Sequence, residues 1–537
     1  WIDDCPNQLY SAFTFKGGSV WRERLKVDLK GTSGLKELLD GHDDASLHAL
    51  MTNLGGHDME TVLDAFRAVD DDRPHCFVAY TVKGYGLPLA GHKDNHAGLM
   101  NPDQMAAFKR TMRIRDGREW EPAEGLDLDE AALRSFLAET PFAGRARSED
   151  RAPMISVPEI APPAGSSLAT QAAFGKILND LGRETSALAD RIVTASPDVT
   201  VSTNLGGWVN QRRLFHRDPR VDLFREEKVA SPQRWDMSPR GQHIELGIAE
   251  NNLFLLLAEL GLAEPLFGAR LLPIGTLYDP FISRGLDALN YACYQGARFM
   301  VVATPSGMAL APEGGAHQSV LTPLIGMGQD GLTYFDPAYV DELAAILAWG
   351  FEHLQREDGG SVYLRLSTRA IRQPGRVLDE ATRDGIIGGG YWLREPQPGA
   401  EVAIAYAGVV APEALEAFES LAEDLPGAGL LAVTSPDRLH AEWTRARRRR
   451  ASGASGEASR IERLLRPLAP DAALVTVIDG HPATLSWMGA VRGHRTHGLG
   501  VEHFGQSADV PDLFRIQGID AAAILDAVAG ALVERRR

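Results

Sequence analysis

An acid at the mouth of a very apolar helix is the first side chain here with chemistry in it. In HIELGIAENNLFLLLAELGL, His243 to Leu262, a Gly-bounded turn runs into the helix, and Glu250 stands where the apolar stretch begins. A carboxylate drawn out of water holds its proton more tightly and can share it with a nitrogen base. The same position also suits an ordinary helix cap or dipole partner. Downstream lie Phe281, in TLYDPFISRGLDAL, and His317, in the Gly-rich stretch PSGMALAPEGGAHQS. Upstream, TVKGYGLPLAGHKDNHAGLM carries His92 and His96, with His96 the stronger candidate. Gly-rich loops on a rigid scaffold are where reacting groups are placed. A loop of Gly, His, Lys, Asp and Asn is polar enough to order only when substrate arrives.

Positioning these residues requires strands and helices in alternation. METVLDAFRAV has the apolar spacing of a helix, and HCFVAYTVKG reads as a strand ended by Gly84. The stretch 121–165 is rich in Pro, Glu and Ala and reads as a linker between domains. A block over 166–372 alternates helices such as LATQAAFGKILNDLGRE with strands such as ARFMVVAT and GSVYLRLST. A block over 385–537 holds strand candidates EVAIAYAG, GAGLLAVT and AALVTVIDG and closes on the helix AAAILDAVAGALVE. With residues 1–120, this predicts an α/β fold of three consecutive α/β domains with mainly parallel sheets.

Composition narrows the function. The 537 residues carry 55 basic and 72 acidic side chains, a net charge of −17. That argues against nucleic acid or an anionic membrane as the main partner. The Arg-rich run 445–450, before ASGASGEAS, reads as a solvated loop. Three cysteines (Cys5, Cys76 and Cys293) have no metal-ligand spacing and suit a reducing cytoplasm. No apolar stretch approaches the ~18 residues of a membrane span, and no signal peptide opens the chain.

Taken together, the motifs resemble the transketolase-like thiamine-diphosphate enzymes, and within them the homodimeric type of pyruvate dehydrogenase. GGHD (Gly55 to Asp58) followed by TVKGYG resembles the end of the diphosphate-binding domain. GIAE resembles the motif whose Glu touches the aminopyrimidine, and YDPFISRGLD the segment whose Phe stacks on that ring. EGGAHQS resembles the loop with the active-site His, and HFGQSADVPDLF the signature of the C-terminal domain. The resemblance implies a diphosphate-binding remnant at 1–120, a pyrimidine-binding domain at 166–372 and a transketolase C-terminal-like domain at 385–537. It makes Glu250 the hydrogen-bond partner of the ring nitrogen, favouring the imino tautomer that deprotonates the thiazolium carbon. It makes Phe281 the stacking partner and His317 the donor to the substrate. His96 becomes a lid residue meeting substrate or lipoyl acceptor, and Asp198, in TASPDVTVS, an acid near the cofactor.

The chain departs from the family at the metal. A hard Mg²⁺ wants oxygen ligands, which the family supplies with Gly-Asp-Gly and a later Asn. No Gly-Asp-Gly occurs here; the nearest stretch, IDGHPA (Ile478 to Ala483), falls in the wrong domain. The expectation is that the other half of the diphosphate site lies upstream of Trp1 or on another polypeptide, and no residue is assigned to the metal. Transketolases open the second domain with ATR, where Arg can grip a sugar phosphate; here it is LATQ, with Gln171. Arg284 and Arg369 remain as anion binders. The implied function is thiamine-diphosphate-dependent decarboxylation of a small 2-oxo acid, pyruvate first, with acyl transfer to a lipoyl-bearing acyltransferase. The alternatives are transketolase-like or deoxyxylulose-phosphate synthase-like transfer on sugar phosphates, and a non-catalytic subunit.

Overall fold

The computed structural model describes residues 1–140, 152–453 and 456–535. The chain forms two compact units, Trp1–Ala146 and Arg147–Arg537. The boundary falls inside the stretch read as linker. Residues 141–151 of that stretch lie outside the described residues, and Glu130–Ala138 within it is helical.

The first unit is helical among its described residues. Its core gathers on Trp21, fully buried, with the rings of Trp1, Tyr10 and Phe13 at 5.2–5.7 Å. Asp43 and Asp58 cap the helices Asp44–Thr52 and Met59–Arg67 by accepting backbone N–H groups. HCFVAYTVKG, expected as a strand, makes no ladder: Phe77, Val78 and Tyr80 are exposed, and the unit offers no second strand among its described residues. A strand-like sequence without a partner edge stays merely extended.

The second unit holds two main sheets. Its strands are β1 (Ser167–Leu168), β2 (Ile192–Ser196), β3 (Leu214–Phe215), β4 (Met237–Ser238), β5 (His243–Glu245), β6 (Leu272–Leu277), β7 (Met300–Ala303), β8 (Leu332–Phe335), β9 (Ser361–Arg365) and β10 (Ile371–Arg372). They continue as β11 (Gly390–Arg394), β12 (Ala400–Ala407), β13 (Gly429–Val433), β14 (Leu468–Ile478) and β15 (Arg495–Leu499). Eight form a fully parallel sheet in the order β4-β3-β5-β2-β6-β7-β9-β8. Five form a second sheet, β11-β13-β12-β14-β15, parallel except for β11. β6, β7 and β9 are buried along their whole length, as expected of strands covered on both faces. β1 pairs with β10 apart from both sheets. The α/β class with mainly parallel sheets holds.

Two expectations are corrected. The Arg-rich run lies on the helix Pro436–Ala451, not in a loop. Ser435 caps that helix, Arg447 covers the Trp443 ring, and Arg450 pairs with Glu462; arginines near a helix C-terminus also suit its dipole. Residues 454–455 of the following ASGASGEAS lie outside the described residues. The second correction is Val510–Arg535, which is long and apolar enough for a span by length and composition alone, its most apolar 18-residue window having a mean hydropathy of 1.6. In the fold it is two helices, Val510–Gln517 and Ala521–Arg535, with Gly518 left-handed between them. The second helix buries Ile524, Val528 and Ala531 in the core beneath the five-stranded sheet.

Candidate functional site

Parallel strands bring all their carboxyl ends to one edge, and ligands bind where the strand order reverses. β2 is that point: β5 lies on one side of it and β6 on the other. Glu250 follows β5, Tyr278 and Phe281 follow β6, and His317 follows β7. The close approach that joins the first two segments depends on Gly285. A Cβ there would meet the Phe254 ring at 2.3 Å and the Glu250 carbonyl oxygen at 3.0 Å.

The result is a compact cluster. Glu250 is 7% exposed, and Arg284 Nη1 donates to its Oε1 at 2.6 Å. The same guanidinium lies 3.7 Å from the Phe281 ring centroid. Phe281 stacks on Tyr278 at 5.8 Å, and His317 meets both rings edge-on, at 5.4 and 6.2 Å. His317 Nε2 is 3.9 Å from Glu313, while its Nδ1 is buried without a hydrogen-bond partner. Three of the residues singled out from the sequence, Glu250, Phe281 and His317, are thus brought together.

The others fall elsewhere. Asp198 is exposed at the end of β2 with a left-handed φ of 64°; its backbone N–H, not its side chain, reaches Glu245 Oε1 at 2.7 Å. Burial would raise Glu245, but hydrogen bonds from His243, Thr200 and the Asp198 N–H outweigh it and hold its carboxyl below the usual range. His96 belongs to the first unit, on the turn Lys93–His96, with Lys83 Nζ 2.6 Å from its Nδ1. Gln171 is buried and donates to the Ser202 carbonyl at 2.6 Å. Arg369 is held by both Glu413 oxygens, at 2.6 and 2.9 Å.

A buried ionic network behind the cluster escaped the sequence reading. Asp279, two residues before Phe281 and fully buried, accepts from Ser319, from Thr322 at 2.6 Å, from Tyr363 and from Arg365 Nε at 2.9 Å. Arg365 also donates to Asp336 at 3.0 Å and to the Asp479 carbonyl at 2.6 Å. Burial works against the Arg365 charge, but Asp279 and Asp336 outweigh it and keep it protonated. Burial raises Asp336 and pushes Asp479 up to about 6. One signal was legible: an arginine inside the apolar strand SVYLRLST needs a buried acid.

The slot between Glu250 and Phe281 holds a planar, π-stacking hydrogen-bond donor, the Arg284 guanidinium. That is the chemistry of an aminopyrimidine ring that donates to a carboxylate and stacks on an aromatic. With the His317 ring edge-on to the same rings and its Nδ1 unpartnered, the donor set fits the pyrimidine half of thiamine diphosphate. Among the described residues no group of three or more His, Cys, Asp or Glu side chains is arranged to hold a metal ion.

No family model matches the chain. It is 27% identical over 526 residues to the pyruvate dehydrogenase E1 component of Corynebacterium glutamicum, an alignment covering 89% of this chain and 54% of that protein. It is 24% identical over 508 residues to transketolase 2 of Xanthobacter flavus, covering 90% of this chain and 66% of that one. Among solved structures it matches transketolase from Leishmania mexicana with a TM-score of 0.63 at 17% identity, covering 90% of this chain and 66% of that chain. The chain spans about half the length of the pyruvate dehydrogenase relatives it matches. The fold is transketolase-like, and the similarities fit a member of the transketolase-like thiamine-diphosphate enzyme superfamily.

Proposed function

We propose, starting from a member of the transketolase-like thiamine-diphosphate superfamily, that this chain carries the pyrimidine-side half of an active site that decarboxylates a small 2-oxo acid, pyruvate first. The observation that carries the reading is the meeting of buried Glu250 with half-buried Phe281 and His317 at one sheet edge. When bound, thiamine diphosphate supplies the electron sink for loss of carbon dioxide. Glu250 accepts a hydrogen bond from the ring nitrogen and holds the proton there. Phe281 fixes the ring plane by stacking, worth ~0.5–1.5 kcal/mol beyond area burial. His317 donates to the substrate's carbonyl or carboxylate oxygen. His96 keeps the role the resemblance implies, towards substrate or the lipoyl acceptor. Asp198 is the weakest member, since its link to the strand ends runs through its backbone. Mg²⁺ enters the proposal as the counter-ion of the diphosphate, with no residue of this chain assigned to it.

The acyl acceptor in this reading is a lipoyl-bearing acyltransferase, the location cytoplasmic and the assembly a homodimer. The helices Glu250–Gly261 and Leu286–Tyr294 pack together yet leave Leu255, Leu286, Tyr291 and Tyr294 exposed, an apolar set suited to a second copy. The similarity to transketolase 2 keeps transfer on sugar phosphates as the second reading. The engagement of Arg369 with both Glu413 oxygens, and the neutral Gln171 donating to the Ser202 carbonyl, favour the small acid, because a phosphate needs an uncommitted cation. A non-catalytic subunit would have no use for a buried acid at this turn.

The test is calorimetric titration of thiamine diphosphate with Mg²⁺ into the chain and into Glu250→Ala, followed by release of carbon dioxide from pyruvate with lipoamide present. Binding that weakens in the variant, with pyruvate consumed, supports the reading. Equal binding in both proteins, or turnover of a ketose phosphate instead, overturns it.

A further inference from the structure

The segment that brings His317 to Phe281 has almost no secondary structure of its own. It runs from the end of β7 to the helix Thr322–Gly328 through short 3₁₀ turns at Met308–Glu313 and Gly315–His317. Buried backbone groups in such a segment need partners, and the partners fix its shape. Several of them come from the five-stranded sheet, far along the chain.

Asp479, directly after β14 and fully buried, accepts the Met308 N–H at 2.8 Å on one carboxylate oxygen and the Ala309 N–H at 3.3 Å on the other. Ser507 Oγ donates to the Pro312 carbonyl at 3.1 Å, and Gln318 Nε2 donates to the Gln506 carbonyl at 3.1 Å. The His481 N–H closes the far end on the Val320 carbonyl at 3.0 Å. Between these anchors Gly315 lies flat on Gly505: a Cβ at Gly315 would stand 2.3 Å from the Gly505 carbonyl oxygen. Every contact joins the His317 segment to IDGHPA or to HFGQS.

We infer that Asp479 and the turn Gly505–Ser507 are positioning residues for His317, so that the C-terminal sheet forms part of the active-site apparatus. The inference rests on the proposed function for what His317 does, but the geometry of the clamp does not. Charge-assisted bonds from a carboxylate to two backbone N–H groups are stronger than neutral ones. A side chain misplaced by about 1 Å can cost ~10²-fold in rate. Arg365 holds the Asp479 carbonyl and touches Asp279 and Asp336, so the clamp and the Phe281 segment share one frame.

Hydrogen exchange of the intact chain, read by mass spectrometry, tests this. Asp479→Asn should lower protection of residues 308–319 by about tenfold or more, and Ser507→Ala, an exposed site that leaves the core alone, by a smaller factor at Glu313 to Gln318. The helix Glu250–Gly261 should keep its protection in both. Asp437→Asn removes a different, half-buried acid, bonded to the Tyr334 N–H, and should leave 308–319 as in the parent protein. In turnover of a 2-oxo acid, Asp479→Asn should lower kcat with little change in KM. Unchanged protection of 308–319 in both Asp479→Asn and Ser507→Ala, or an equal loss in Asp437→Asn, overturns the inference. Failure of any 2-oxo acid to react once the diphosphate-binding half is supplied would sink the proposed function while leaving the exchange result to decide the clamp.

Discussion

Two histidine-bearing, Gly-rich loops of this protein are built in opposite ways. His317 stands on a segment that follows a buried parallel strand, backed by the Arg365 network and gripped by groups from a second sheet. His96 stands on an exposed turn of a helical unit, with Lys83 at its ring and Asn95 donating to the Lys83 carbonyl at 2.6 Å. The first loop takes its shape from groups of another sheet; the second is held by helices of its own small unit, with Phe15 edge-on to His92 and His57 stacked on Tyr85 while accepting the Val82 N–H. His317 is thus tied to a sheet edge, and His96 to an exposed turn on a helical unit.

The largest test of that contrast is in turnover. Glu250→Gln, and separately His317→Ala, should lower 2-oxo acid decarboxylation by roughly 10²–10⁴-fold. His96→Ala should leave decarboxylation near its parent value and slow acyl transfer to lipoamide instead. Steady-state assays with and without lipoamide separate the two steps, and an equal loss in all three variants would erase the distinction between the loops.

Next in size is stability. Asp279→Ala leaves Arg365 short of a buried partner and should cost about 3–5 kcal/mol in denaturant unfolding of the second unit. Lys83→Met, at the exposed loop, should change unfolding by under about 0.5 kcal/mol.

A third test uses pH. Burial, reinforced by the Asp341 charge and only partly offset by Arg376, raises Glu342 from 4.5 to about 7. Its neutral form is therefore the one the fold prefers. The stabilisation is complete below about pH 4.5 and is lost as pH rises through about 7. Thermal unfolding of the parent protein should lose stability over that window relative to Glu342→Gln, and parallel curves would refute it.

The smallest effect belongs to the first unit. Asp43→Ala removes the cap that accepts the Ser46 N–H at 2.7 Å and should cost about 1 kcal/mol. Calorimetry should show the loss in the transition of that unit, not of the other.

The candidate site was legible where chemistry and spacing coincide. Glu250, Phe281 and His317 each sit in a short motif whose role came from a family resemblance rather than from residue type alone, and the parallel α/β order that brings them to one edge follows from alternating helical and apolar strand patterns. What misled was local pattern without a partner. HCFVAYTVKG has strand composition but no ladder, and the Arg-rich run looked like a loop yet extends a capped helix. IDGHPA was compared with a metal motif, while its aspartate grips backbone amides of the His317 segment.

The sequence alone therefore determined the period of each element, the order of the motifs and the chemistry each side chain can perform, because these depend on neighbours within a turn or a strand. Only the tertiary structure decided which charges compensate one another. The pairs Arg284 with Glu250, Arg365 with Asp279 and Asp479 with the Met308 and Ala309 amides lie 34, 86 and about 170 residues apart. A buried charge needs a partner, but nothing in the local pattern says from where in the chain that partner comes.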